Sequence, residues 1–382
     1  MSPEHHLAQQ TALEWCVLVA HHFDSTATTP FTGFHSTIKR SGQSSMDAQK
    51  SRITADIQFD QDGFQTGMLR VPHSVDRSAY GHIPIPIAVL KNGDGPTLLL
   101  TGGNHGDEYE GPVALMKLLQ HLPQTAINGR IIVVPGLNFP AFLAGKRTSP
   151  IDHANMNRVF PGKRDGTITE MIAHYVDTEL FPRADIIFDI HAGGQSFNHM
   201  PTLLIYPPQD GVKREEYLRL VKSFAAPHAM VMDLLGEDRT YGAAVERQGK
   251  LFLCGEFGGY GTCNPDGLAI VEEGLARLLR ATGIVRDDAA PASRFDTQYL
   301  QVEGKKHYVF SPAMGVFEPT VKLGDRVVKG QLAGRVFNPH APWSEPLELK
   351  FLGDGIAVCI RSFAGVEPGD CVVLLASDTT LS

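Results

Sequence analysis

The chain is short of several things, and each shortage narrows what it can be. Only five cysteines occur in 382 residues, at positions 16, 254, 263, 359 and 371, with no C-x-x-C pair. Dispersed and odd in number, they read as reduced thiols of a cytoplasmic protein, not as a disulfide framework. Basic residues are not in excess: 34 Lys and Arg stand against 42 Asp and Glu, a net charge of −8. A phosphate-binding surface must be basic, so nucleic acid is not an expected partner. A small anionic substrate stays open, because one local arginine can hold it. No apolar run approaches the roughly 18 residues that cross a bilayer. Trp15–Ala20 is apolar but short, lacks a Lys/Arg-rich start and runs into His21 and His22, so neither a membrane span nor a signal peptide is expected.

What is present is an ordinary globular composition, 42% hydrophobic and 20% charged. The length implies two domains. Residues 1–45 are rich in His, Thr, Ser and Gln without periodicity. They read as a flexible extension carrying no chemistry, with Met46 an alternative start. From Ile53 onward, Ile85–Leu90, Thr97–Thr101, Ile131–Pro135, Ile186–His191 and Leu203–Tyr206 are short apolar runs bounded by Gly, Pro and Asn. Between them, Gly111–Leu122 and Thr167–Leu180 carry apolar residues at helical spacing, the second opening on the capping-box spelling Thr167-x-x-Glu170. This alternation predicts an α/β domain over 46–290, with a mainly parallel, mixed sheet flanked by helices. Beyond Asp287 a linker-like stretch, Ala289–Ala292, gives way to short strands and turns. Residues 291–382 are therefore expected to form a smaller all-β domain. Val321–Leu332 and Val366–Leu374 resemble the two halves of a biotinyl/lipoyl-type sandwich, but the corresponding hairpin, Asn338–Pro346, has no lysine to carry a cofactor.

The sharpest local signal is Gly102-Gly-Asn-His105-Gly-Asp-Glu108-Tyr-Glu-Gly111, directly after a strand. His105 and Glu108 are three apart at a strand-to-helix turn, so imidazole and carboxylate can converge on one ion. Zinc accepts such N and O donors, and a catalytic site takes three protein ligands with one position open. His191 is the best third ligand. It ends the run Ile186–His191, glycines follow it, and ligands of open α/β sheets collect at the carboxyl ends of strands. Alone, His191 reads equally well as a hydrogen-bonded loop residue. Asp189 shares a face with it. Orienting the ligand and hydrogen bonding at the core edge are both open roles for that carboxylate. Glu256 ends another apolar run, Leu251–Glu256, and is a candidate acid/base. Asp107 and Glu110 compete with it by proximity, but a helix start suits them better to complementing the dipole or orienting His105.

His105-Gly-Asp-Glu-Tyr-Glu-Gly111, the strand end Asp189-Ile-His191 and the intervening Asn157-Arg-Val-Phe160 together resemble the succinylglutamate desuccinylase/aspartoacylase family, of the zinc carboxypeptidase-like superfamily. The resemblance covers about residues 80–280, and the β-rich tail is similar to the family's C-terminal domain. Asn155–Ala173 is most similar to its subgroup of ectoine-degrading deacetylases, which remove acetyl from Nα-acetyl-L-2,4-diaminobutyrate. The resemblance implies a zinc-dependent amidohydrolase with one Zn2+ per chain, held by His105, Glu108 and His191. It implies Glu256 as catalytic acid/base, Arg147 polarising the scissile carbonyl, and Asn157 with Arg158 binding the substrate carboxylate. Lys146 beside Arg147, and a longer spacing to Asn157 than in aspartoacylases, set this chain apart. The expected partner is a small N-acyl amino acid, with no membrane or nucleic acid, in a cytoplasmic homo-oligomer. Rival readings are a succinylglutamate desuccinylase or aspartoacylase-type deacylase, a metallocarboxypeptidase, and a non-enzymatic metal-binding or carrier module.

Overall fold

A computed structural model describes residues 50–208, 210–232, 236–286 and 291–381. The extension at 1–45 lies outside the described residues, as does part of the linker at 289–292. Gln49–Ser382 is one compact unit. Its first strands are β1 (Thr54–Ala55), β2 (Gly63–Pro72), β3 (His82–Asn92), β4 (Thr97–Gly102) and β5 (Gly129–Val134). Then come β6 (Ile186–His191), β7 (Phe197–His199), β8 (Thr202–Ile205), β9 (His228–Val231) and β10 (Leu251–Glu256). The α-helices are α1 (Glu110–His121), α2 (Phe139–Ala144), α3 (Ile168–Tyr175), α4 (Gly211–Phe224), α5 (Tyr241–Arg247) and α6 (Pro265–Ala281).

Strand order across the sheet is β1-β2-β3-β5-β4-β6-β10-β8-β9. The middle strands β5, β4, β6 and β10 are parallel. The sheet is mixed because β2 and β3 on one side, and β8 on the other, join antiparallel. All residues of β4 and β6 are buried, as near-continuous apolar runs require when both sheet faces are covered. Alternation sends their side chains to opposite sides. Leu98, Leu100, Phe188 and Leu253 pack with α1, α4 and α6, while Leu99, Ile187, Phe252 and Cys254 pack with α3 and α5. Helix α3 opens on the expected capping box: Glu170 N donates to Thr167 Oγ1 and Thr167 N to Glu170 Oε2. The helical run expected over Thr167–Leu180 is α only to Tyr175, and Val176–Leu180 widens into a π turn.

Among its described residues the C-terminal region has strands, one 3-10 turn and no α-helix. It comprises β11 (Gln298–Gln301), β12 (Tyr308–Phe310), β13 (Gly315–Pro319), β14 (Arg326–Val327), β15 (Leu332–Phe337), β16 (Leu347–Lys350), β17 (Gly355–Arg361), β18 (Gly365–Val366) and β19 (Cys371–Asp378). A separate sheet, β16-β15-β13-β18, shares a core of Phe317, Val336, Leu349, Val373 and Leu375 with β17 and β19. The main sheet also runs on into this region, because β11 pairs with both β9 and β19 and the small strand β7 pairs with β17.

Candidate functional site

Parallel strands put their carboxyl ends on one edge, and the candidate residues gather there. His191 is the last residue of β6 and Glu256 the last of β10, directly opposite each other in register. His105 follows β4 by three residues. Gly103, at φ 65°, turns the chain out of the strand. A Cβ on Gly106 would lie 2.0 Å from the carbonyl carbon of Ala141, so only glycine lets α2 pack against this turn. The turn is thereby held in place, and His105, Glu108 and His191 are all buried beneath the edge.

The ligand-type atoms of these three residues lie within 4.8 Å of one another. Both imidazoles turn Nδ1 toward the same carboxylate: His105 Nδ1 is 2.7 Å from Glu108 Oε1, and His191 Nδ1 is 2.8 Å from Glu108 Oε2. The far nitrogens face acceptors. His105 Nε2 is 3.1 Å from Asn155 Oδ1 and His191 Nε2 is 2.8 Å from Asp189 Oδ2. A proton on each Nε2 leaves the Nδ1 lone pairs aimed at one point with the carboxylate, the tautomer a metal needs. Two imidazoles and a carboxylate match the donor preference of zinc, so the residues fit the ion the fold implies. Asp189 itself is held by Thr101 Oγ1 at 2.7 Å and Asn104 Nδ2 at 2.8 Å. Both roles left open for it, orienting His191 and anchoring the core edge, are therefore realised in one carboxylate. The one Thr101 proton goes to Asp189, so Tyr241 OH donates to Thr101 Oγ1 at 3.2 Å, tying α5 to the centre.

Charge is tightly coupled. Burial works against the Glu108 carboxylate, but His105 and His191 outweigh it and hold its pKa far below the usual range. Burial lowers the pKa of His105. It acts the same way on His191, where Asp189 and Glu108 overcome it and leave that imidazole well above its ordinary value. Burial, then the charge of Glu108, push the Glu256 carboxyl up to about 8. Glu256 Oε2 is buried without a hydrogen-bond partner and faces the cavity.

That cavity, about 570 Å³, is lined by His105, His191, Glu256, Arg147, Asn157 and Arg158 among others. Arg147 Nη1 is 3.3 Å from His105 Nδ1 and 3.5 Å from Glu108 Oε1, which sets a cation beside the cluster. Arg158 donates to the Asn157 carbonyl at 2.6 Å and pairs with Glu237 at 3.5 Å. Burial and the neighbouring Arg147 lower its pKa. Asn157 has its Oδ1 taken by Tyr241 N at 2.8 Å, so its amide brackets α5 and only its NH2 is left for a ligand. Asp107 and Glu110 turn away from His105: Asp107 accepts from Gln195 N and Glu110 from Asn264 N. Sequence reasoning did not single out Asn155, Asn104, Thr101 or Tyr241. The signal for Asn104 was its place next to His105. Asn155 and Tyr241 come from loops that only the fold brings close.

The chain is similar to known proteins over most of its length. The succinylglutamate desuccinylase/aspartoacylase catalytic domain matches residues 94–282. The chain is 41% identical over 326 residues to the N-alpha-acetyl-L-2,4-diaminobutyric acid deacetylase of Halomonas elongata, covering 85% of this chain and 95% of that one. The product-bound structure of the ectoine utilization protein EutE (DoeB) from Ruegeria pomeroyi superposes with a TM-score of 0.82 at 39% identity, covering 86% of this chain and 99% of that one. A succinylglutamate desuccinylase/aspartoacylase structure from Rhodobacter sphaeroides gives 0.81 at 38% identity, covering 86% and 100%. With nearly the full length of these relatives matched at such identity, the chain belongs to the succinylglutamate desuccinylase/aspartoacylase family.

Proposed function

We propose that this protein is a zinc-dependent N-acyl amino acid deacetylase whose substrate is Nα-acetyl-L-2,4-diaminobutyrate. The observation that carries the hydrolase reading is the meeting of His105, Glu108, His191, Glu256 and two arginines around one cavity. The choice of substrate is supported by the activity of the Halomonas elongata relative. His105, Glu108 and His191 would hold one zinc per chain. When bound, it polarises the acyl carbonyl and lowers the pKa of water to about 7.

The protein's own groups do the rest. Glu256 takes the proton of the attacking water. The water oxygen bonds to the acyl carbon, the C–N bond breaks, and Glu256 returns the proton to the departing amine. Arg147 faces the oxygen on which negative charge gathers. Arg158, with the Asn157 amide, fixes the substrate carboxylate through its planar fork. Residues 46–290 carry this chemistry and 291–382 form the β-rich portion. We further infer a cytoplasmic homo-oligomer, a reading supported for the compartment by the dispersed thiols. Light scattering on the purified chain tests the assembly. No described helix is long and apolar enough to cross a membrane.

Zinc-loaded protein should release acetate and diaminobutyrate in equal amounts from the Nα-acetyl isomer, and less readily from the Nγ isomer. Failure to cleave any acetyl, succinyl or formyl amino acid would remove the hydrolase reading. Preference for a succinyl amino acid would remove only the substrate.

A further inference from the structure

One oxygen atom touches both halves of the site. Asn157 N donates to Asn155 Oδ1 at 2.9 Å, and His105 Nε2 lies 3.1 Å from the same oxygen. A backbone N–H can only donate, so the Asn155 atom at that point is its carbonyl oxygen and His105 Nε2 must bring the proton. The lone pair of that imidazole is then left on Nδ1, 2.7 Å from Glu108 and turned to the ligand cluster. The second bond caps the one-turn 3-10 helix Met156–Arg158, which carries both groups directed at the substrate carboxylate. His105, Asn157 and Arg158 line the cavity, whereas Asn155 stands behind them.

The bonding continues past the clamp. Asn157 Oδ1 accepts from Tyr241 N at 2.8 Å, Tyr241 OH donates to Thr101 Oγ1 at 3.2 Å, and Thr101 donates to Asp189 at 2.7 Å. Asp189 in turn faces His191 Nε2 at 2.8 Å. The two ligand imidazoles are thus the ends of one chain of hydrogen bonds, with the carboxylate clamp along it. Thr101, Asp189 and Tyr241 are buried, where each such bond is stronger and a missing partner costs more.

We propose that Asn155 is a positioning residue whose single oxygen both orients the ligand His105 and holds the Asn157–Arg158 turn, so that metal affinity and substrate binding depend on one side chain. The inference rests on the reading of Asn157 and Arg158 as the carboxylate clamp and deepens it. Three substitutions separate the two bonds. Asn155→Asp keeps an acceptor oxygen at the same reach for both donors. Asn155→Ser still caps the turn, but its hydroxyl is one atom shorter and falls short of His105. Asn155→Ala removes both bonds.

Zinc affinity, measured by competition with a chromogenic chelator, should fall about 10- to 100-fold in Asn155→Ser and Asn155→Ala and stay within about threefold in Asn155→Asp. KM for Nα-acetyl-L-2,4-diaminobutyrate at saturating zinc should rise about fivefold in Asn155→Ala and stay within about twofold in the other two. Arg158→Ala is the control, with KM raised and zinc affinity unmoved. Wild-type zinc affinity in Asn155→Ala, or an unchanged KM there, overturns the proposal. So does Asn155→Asp failing to preserve both, which would make packing and not the acceptor oxygen the cause. Should Asn155→Ala not fold, Asn155→Ser against Asn155→Asp decides: weaker zinc binding in the former supports the proposal and equal affinity overturns it. If the wild-type protein cleaves no N-acyl amino acid, the functional reading fails, and the zinc affinities still decide what Asn155 does to His105.

Discussion

At the scale of single residues, the site is a set of buried polar groups, most of them partnered within the protein, with Glu256 Oε2 left open to the cavity. Asp189 is the most connected, held by Thr101 and Asn104 while it faces His191 Nε2. Asp189→Asn keeps the shape but permits the wrong His191 tautomer. Its zinc affinity, measured by competition with a chromogenic chelator, is expected to fall about 10- to 100-fold. Unaltered affinity would reduce Asp189 to a core anchor. Glu256→Gln tests a different property. Turnover should fall by about 10²- to 10⁴-fold while zinc content stays at one per chain, because Glu256 lies outside the ligand cluster. Loss of metal along with activity would make Glu256 a ligand and not the proton carrier. Both residues stood out in the sequence, Glu256 as a strand-end carboxylate and Asp189 as one sharing a face with His191. Asn155 did not, since nothing local distinguishes an asparagine that accepts from His105, fifty residues upstream, from one in any polar loop.

At the scale of elements, backbone turns and caps place those residues. Gly106 separates the two ligands of the local motif and has no room for a side chain. In Gly106→Ala the added carbon meets the Ala141 carbonyl, so α2 or the turn must move. Both zinc affinity and melting temperature are expected to drop, the latter by several degrees. A variant with normal zinc affinity would show that the turn tolerates the shift. Thr167→Ala provides the contrast. It removes half of the capping box of α3 and should cost about 1 kcal/mol in urea unfolding with kcat/KM unaffected. The strands and helices around the site were legible because period-two and period-3.6 patterns are local. The π turn after Tyr175 was not: its apolar spacing continues the helix, and the wider hydrogen bonding leaves little trace in that pattern.

At the scale of the whole molecule, a half-buried histidine meets the β-rich region where β7 pairs with β17. His199, on the strand that pairs with β17, lies 3.3 Å from Cys359 Sγ. Burial lowers its pKa to about 4. A histidine whose folded value is depressed is kept neutral by the fold, so the unfolded chain binds the extra proton. The contribution is complete above the unfolded value near 6.5 and is lost as pH falls from there toward 4, amounting to about 3 kcal/mol. In chelator-treated protein, stability by urea unfolding is expected to decline from pH 7 to 4.5, and His199→Gln should flatten that decline. Parallel curves for the two proteins would assign the pH dependence to other groups.

The sequence alone determined the alternation of strand and helix, the turn that joins His105 to Glu108, and the family resemblance. These depend on neighbours within a few residues, where periodicity, glycine and side-chain chemistry act directly. Tertiary structure decided what no spacing encodes. It set the register that puts Glu256 opposite His191, the acceptors on both Nε2 atoms, and the diversion of the Asn157 side-chain oxygen to α5. Each arises from segments far apart in the chain, brought together because burying both faces of the sheet leaves only the strand ends free to hold polar groups.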